Sequence, residues 1–146
     1  MRVTSVLLGI GGGIFVVLGL LHALYTFLDI RQPRRLVPDD SAVSAAMARS
    51  HLRLTRGRTT MWQAWVGFNF SHSLGVVLFG PLSITTGTII ATMTVPGLIL
   101  LSLFAIGLVY VLIGALYWFR IPVAGATIAT ACLLLAWLTY VTSSSN

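Results

Sequence analysis

The sequence contains no lysine and no glutamate, and its formal charge rests on nine arginines and three aspartates among 146 residues. Charged residues are 8% of the chain, against roughly a quarter in a soluble globular domain, and that deficit excludes a water-soluble fold. With 57% hydrophobic residues and a mean hydropathy of +0.95, the chain reads as a membrane protein. The single cysteine, Cys132, excludes an internal disulfide, a CxxC redox pair and a thiolate zinc site. Three histidines, His22, His51 and His72, are too few for a di-iron oxygenase or desaturase, and no metal site is expected. No acidic residue lies inside an apolar run, which argues against proton-coupled antiport through an intramembrane carboxylate.

What is present is four apolar runs. A spanning helix needs about 20 residues, and the runs at 3–28, 62–84, 95–119 and 123–141 each supply that length. The first is too long for a signal peptide, whose apolar core is about 7 to 15 residues, so it reads as a retained span. Residues 85–94 are rich in threonine and read as an external loop, with Pro96 opening the third span. Tyr117, Trp118, Phe119 and Arg120 form an aromatic and cationic belt of the kind found at a bilayer surface. The expectation is an all-α polytopic membrane protein, with residues 1–146 forming one four-helix transmembrane bundle.

Seven of the nine arginines fall between Arg31 and Arg58. The positive-inside rule makes that loop (29–60) cytoplasmic. Arg120 falls on the same side, and both termini then face outward from a bacterial inner membrane. Within the loop, Asp39, Asp40 and Ser41 are good helix starters. From 42 to 54, Val43, Ala46, Met47 and Leu54 share one face, while Arg49, Arg53 and Arg56 favour another. This pattern predicts a short cytoplasmic amphipathic helix on the membrane surface. Its arginines either attract anionic headgroups or, through Arg49, Arg53, Arg56 or Arg58, reach an anionic ligand entering between helices. The net charge of +6 does not imply nucleic acid, because the basic segment lacks interleaved aromatics or a reading helix.

The second span carries the chemistry. Trp62, Trp65, Asn69, His72 and Val76 fall along one helical stripe, and Ser73 lies one turn after Asn69. Asn and His are costly in hydrocarbon unless they face a partner helix or a wet cavity, so the stripe faces inward. Such side chains either hydrogen-bond across helices as packing glue or serve a ligand. The first span offers His22, Thr26 and Asp29 as a matching stripe. At 1.5 Å per residue, His22 lies roughly 10 Å in from Asp29, Asn69 roughly 10 Å in from Trp62, and His72 roughly 15 Å in. Depth therefore allows the three to meet. Asp29 is expected to pair with Arg31 or Arg58 at the interface. Gly9, Gly12 and Gly19, with Gly13 beside them, would let a helix approach closely. Gly107, Tyr110, Gly114 and Tyr117 give the third span a small-and-aromatic face, and Trp137 and Tyr140 fit the external interface.

The stretch Gly67-Phe68-Asn69-Phe70-Ser71-His72-Ser73-Leu74-Gly75 resembles a motif of small uncharacterised bacterial four-helix membrane proteins. That resemblance extends over nearly the whole chain, including the Gly-rich first span and His22, and implies architecture without an activity. A partial resemblance links the chain to the membrane-associated proteins of eicosanoid and glutathione metabolism, which share its length, four spans, an Arg-bearing first loop and an Asn-x-x-Glu motif on the second helix. Asn69-Phe70-Ser71-His72 occupies that place. The resemblance implies that Asn69 binds the glutathione peptide and that Arg56 or Arg58 binds its carboxylates. The chain departs from it with His72 in place of the Glu, Trp65 where an Arg is expected, and no Arg within 110–117.

The functional expectation is a protein that binds a lipophilic or amphiphilic small molecule between the first two spans, near the cytoplasmic leaflet. His72 is the candidate catalytic residue, by proton transfer near neutral pH. His22, Asn69, Ser73, Arg56 and Arg58 are the candidate ligand-binding residues. The alternatives are an assembly subunit or homo-oligomer packed through the glycines, a glutathione-dependent membrane enzyme, and a haem b protein with His22 and His72 as axial ligands. The expected partners are the bilayer and a small molecule, and the cofactor is left unknown.

Overall fold

A computed structural model of the chain describes residues 1–144, and its regular elements are helical apart from one isolated β-bridge between His51 and Thr60. The helices are α1 (Arg2–Arg31), α2 (Ser41–Arg49), α3 (Met61–Ile90), α4 (Gly97–Tyr117) and α5 (Arg120–Ser144), with a 3-10 turn at Arg53–Thr55. All but α2 are long and apolar enough to cross a membrane.

Local chemistry sets the helix ends. Asp40 caps α2, its carboxylate accepting from the Ala42 N–H at 2.7 Å. Thr60 and Gln63 form a reciprocal box at the start of α3. The Gln63 N–H donates to Thr60 Oγ1 at 3.2 Å, and the Thr60 N–H to Gln63 Oε1 at 2.9 Å. Pro122 lies in the first turn of α5, where a missing N–H costs nothing. The structure corrects two boundaries. The segment read as an external loop from 85 is helical to Ile90, its threonines returning their hydroxyls to the helix: Thr86 to Leu82 O and Thr88 to Thr85 O, both at 2.8 Å. The helix read over 42–54 stops at Arg49, where Ser50 turns extended and closes on Ala46 O.

The chain forms two compact units. The unit made of residues 1–18 and 76–144 holds the apolar core, including Leu8, Phe15, Phe79, Leu100 and Leu133. Phe15 of α1 meets Phe79 of α3 edge-on at 4.9 Å, and Tyr110 of α4 closes the triangle at 5.9 and 6.1 Å. Gly12 and Gly80 bring α1 and α3 nearly into backbone contact: a Cβ on Gly80 would lie 2.5 Å from Gly12 O and 2.5 Å from Val16 Cγ2. Of the glycines read as one close-approach face, Gly12 serves that role, whereas Gly9 and Gly13 look into open space. The outward surface of this unit is apolar, with Val3, Leu98, Leu116, Ile121 and Ile128 exposed. Such a surface suits lipid and not water.

Tyr140, read as an interfacial residue, is buried and ties α5 to the α3–α4 connection. Its hydroxyl donates to Val95 O at 2.6 Å and accepts from the Val95 N–H at 3.1 Å. Tyr140→Phe leaves both Val95 groups without this partner and is expected to cost about 1–3 kcal/mol. The check is a thermal melt of the purified variant in detergent, which should start unfolding below the wild type.

In the unit spanning Gly19–Gly75, Asp29 closes the end of α1. Its side chain has no exposed surface and accepts from three consecutive backbone N–H groups. Oδ1 takes Arg34 and Arg35, each at 3.1 Å, and Oδ2 takes Leu36 at 2.7 Å. The Arg35 guanidinium adds an ion pair at 3.8 Å. This corrects the expected pairing with Arg31 or Arg58. Arg31 instead covers the Phe27 ring at 4.9 Å, and the Arg35 guanidinium also lies over Tyr25 at 5.7 Å.

Candidate functional site

Helix geometry puts His22, Thr26 and Asp29 on successive turns of α1, and Trp62, Trp65, Asn69 and His72 on successive turns of α3. Within the Gly19–Gly75 unit these two stripes meet. His22 Nε2 lies 2.9 Å from Asn69 Oδ1, and the His22 and His72 rings meet edge to face with centroids 5.3 Å apart.

The bonding around Asn69 assigns the protons. Asn69 Nδ2 donates to Trp65 O at 2.8 Å, so the amide presents its oxygen to His22. An amide oxygen only accepts. His22 therefore carries hydrogen on Nε2 and donates it. In the neutral ring, Nδ1 is then the basic nitrogen.

Neighbouring hydroxyls are spent within their own helices. Thr26 returns its hydroxyl to His22 O at 2.9 Å, and Ser73 returns its hydroxyl to Asn69 O at 2.8 Å. Both residues are buried. Ser73 thus sits beside the cluster with its proton donated to its own helix, leaving its oxygen as an acceptor. His72 is half-buried and lies parallel to the Phe68 ring at 6.4 Å. About two to three turns before His72, Trp62 and Trp65 stack at 5.0 Å.

The structure thus brings His22, Asn69, His72 and Ser73 together. It places Arg56 and Arg58 elsewhere, exposed on the turn that precedes α3. No group of three or more His, Cys, Asp and Glu able to hold a metal occurs among the described residues.

Chemically, the cluster presents two imidazoles, one of them oriented by an amide, with the buried hydroxyls of Thr26 and Ser73 beside them. It can orient a polar head by hydrogen bonds and exchange a proton with it. Sequence reasoning missed the fixed orientation of Asn69, because a backbone carbonyl such as Trp65 O has no residue-type signature. It also missed Phe68, whose position beside His72 follows from their four-residue spacing. No known protein family, curated protein or solved structure matches the chain.

Proposed function

We propose that the protein is a four-helix membrane bundle of a bacterial inner membrane that binds an amphiphilic small molecule at the His22–Asn69–His72 cluster. In this reading the 29–60 segment is cytoplasmic, both termini are external, and α2 lies on the membrane surface. The observation that carries the reading is the His22 Nε2 to Asn69 Oδ1 hydrogen bond at 2.9 Å beside a second imidazole. Polar groups of this kind at membrane depth are costly and cluster where a ligand or proton is handled. The ligand's polar end meets His72 and the oriented His22, with Ser73 oxygen as a further acceptor. If chemistry follows binding, His72 is the proton-transfer residue. The haem and glutathione readings gain less support. The Nε2 nitrogen that an axial His22 would offer to iron is engaged by Asn69, and both ends of the Asn69 amide are already committed.

Histidine acylation by diethyl pyrocarbonate tests the reading. His51 is exposed and serves as the internal standard. His72 is expected to be protected in native membranes and modified after delipidation and reconstitution in phosphatidylcholine, with His51 modified in both. Equal modification of His72 in the two preparations contradicts a resident ligand.

A second reading, assembly into an oligomer, is favoured by Gly9 and Gly13. They lie one turn apart on α1 with nothing within 4 Å of a Cβ on either, the small-residue spacing that lets a second helix approach. Gly13→Leu is then expected to abolish crosslinked dimers in native membranes while the monomer stays folded.

A further inference from the structure

Four arginines and no acidic residue occur between Arg49 and Arg58, and the cluster described above uses none of them. The segment is a built turn. The Met61 N–H donates to Ser50 O at 2.8 Å and the Leu52 N–H to Thr59 O at 2.9 Å. Inside this pair, Thr55 Oγ1 donates to Leu52 O at 3.0 Å and accepts from the Thr59 N–H at 3.1 Å. The chain reverses through two left-handed residues, Arg56 at φ 50° and Gly57 at φ 82°. Glycine adopts that conformation freely, whereas arginine does so against its steric preference. The turn presents Arg53, Leu54, Arg56 and Arg58 outward, all exposed, with Leu54 at 98%.

We propose that this tip docks on the anionic phospholipid headgroups of the bilayer that the helices cross, with Leu54 entering the hydrocarbon boundary and the three arginines binding phosphate. Water satisfies the guanidinium groups but leaves Leu54 as fully exposed apolar surface. The bilayer interface satisfies both at once, since planar guanidinium groups bind phosphate oxygens in pairs and apolar side chains sink into the acyl boundary. Position along the chain agrees. The tip joins α3 at Thr60, and the stacked Trp62–Trp65 pair on the first turns of α3 marks headgroup level. Nucleic acid is the less favoured partner, because residues 49–58 contain no Phe, Tyr or Trp on which a base would stack. The proposal rests on α3 entering the membrane at its Met61 end and not on the His22 site.

The experiment uses full-length protein carrying Cys132→Ser and Leu54→Cys, with an environment-sensitive fluorophore at position 54. It is reconstituted in vesicles of phosphatidylcholine alone or of equimolar phosphatidylcholine and phosphatidylglycerol. The expected result is shielding from an aqueous quencher in the anionic vesicles only, reversed by high salt. Each Arg→Gln change at 53, 56 or 58 should loosen the association about fivefold, and Arg→Lys changes should retain most of it. A fluorophore at Phe68→Cys, a strongly exposed α3 position, reports the span itself. With position 68 shielded in both vesicles, equal quenching at 54 in the two lipids overturns the proposal. So does shielding that survives the triple Gln variant, or shielding in neutral vesicles that appears only with an added oligonucleotide. An unshielded position 68 overturns the spanning reading and the proposal with it.

Discussion

Gly80→Ala is expected to destabilise the protein by about 3 kcal/mol, the upper end of the range for an overpacked core. A Cβ at residue 80 would meet Gly12 O at 2.5 Å, Val16 Cγ2 at 2.5 Å and Val16 N at 3.0 Å. Two of those atoms are backbone, so relief requires α1 and α3 to move apart and not merely a rotamer to change. Separation would also loosen the Phe15–Phe79 edge contact close by. Gly13→Ala supplies the control one residue from Gly12. Its Cβ meets nothing within 4 Å, and removing a helical glycine should gain roughly 0.5–1 kcal/mol. Thermal melts in one detergent should therefore move in opposite directions for the two variants. A Gly80→Ala melt that coincides with wild type contradicts the close α1–α3 contact.

Asp29→Ala is expected to have an effect of similar size, about 1–3 kcal/mol, because it takes the acceptor away from backbone N–H groups gathered around a fully buried carboxylate. The carboxylate satisfies the N–H groups of Arg34, Arg35 and Leu36 together, as successive amides gathered around an anion do. Alanine leaves all three without it and releases the Arg35 guanidinium. Asp29→Asn should fall between, since it keeps one acceptor oxygen but turns an NH₂ toward donors. Hydrogen exchange localises the effect: amides 34–36 should lose protection in Asp29→Ala before the α4 and α5 amides do. Unchanged protection at those three amides would show that the carboxylate does not hold the loop.

The four long apolar helices were legible because each is an uninterrupted apolar run of the length hydrocarbon demands. The convergence of His22, Asn69 and His72 was legible in part, because the rise of a helix fixes depth. Helix rotation was not legible, and it decides whether residues at one depth touch. It separates Gly12, pressed on Gly80, from Gly13, which faces open space. Composition misled at 85–90, where β-branched threonines look like loop but return their hydroxyls to helix carbonyls. Charge misled at Asp29: its largest partners are backbone amides, invisible to a search for opposite charges. The Thr60–Gln63 capping box was a readable signal for the start of α3 at Met61. Tyr140 was unreadable as a core residue, because an aromatic with a polar tip suits a membrane interface and a buried carbonyl equally well.

Native mass spectrometry of the protein released gently from its own membrane reveals whether the His22–Asn69–His72 cluster holds a ligand, because it reads subunit number and bound small molecules together. The expected result is an amphiphile retained by the wild-type chain and lost from Asn69→Ala, in which His22 has lost its acceptor, while Ser71→Ala, altered on the exposed side of the same turn, keeps it. A ligand-free wild-type chain, or an adduct equally retained by all three proteins, contradicts a ligand site at His22, Asn69 and His72.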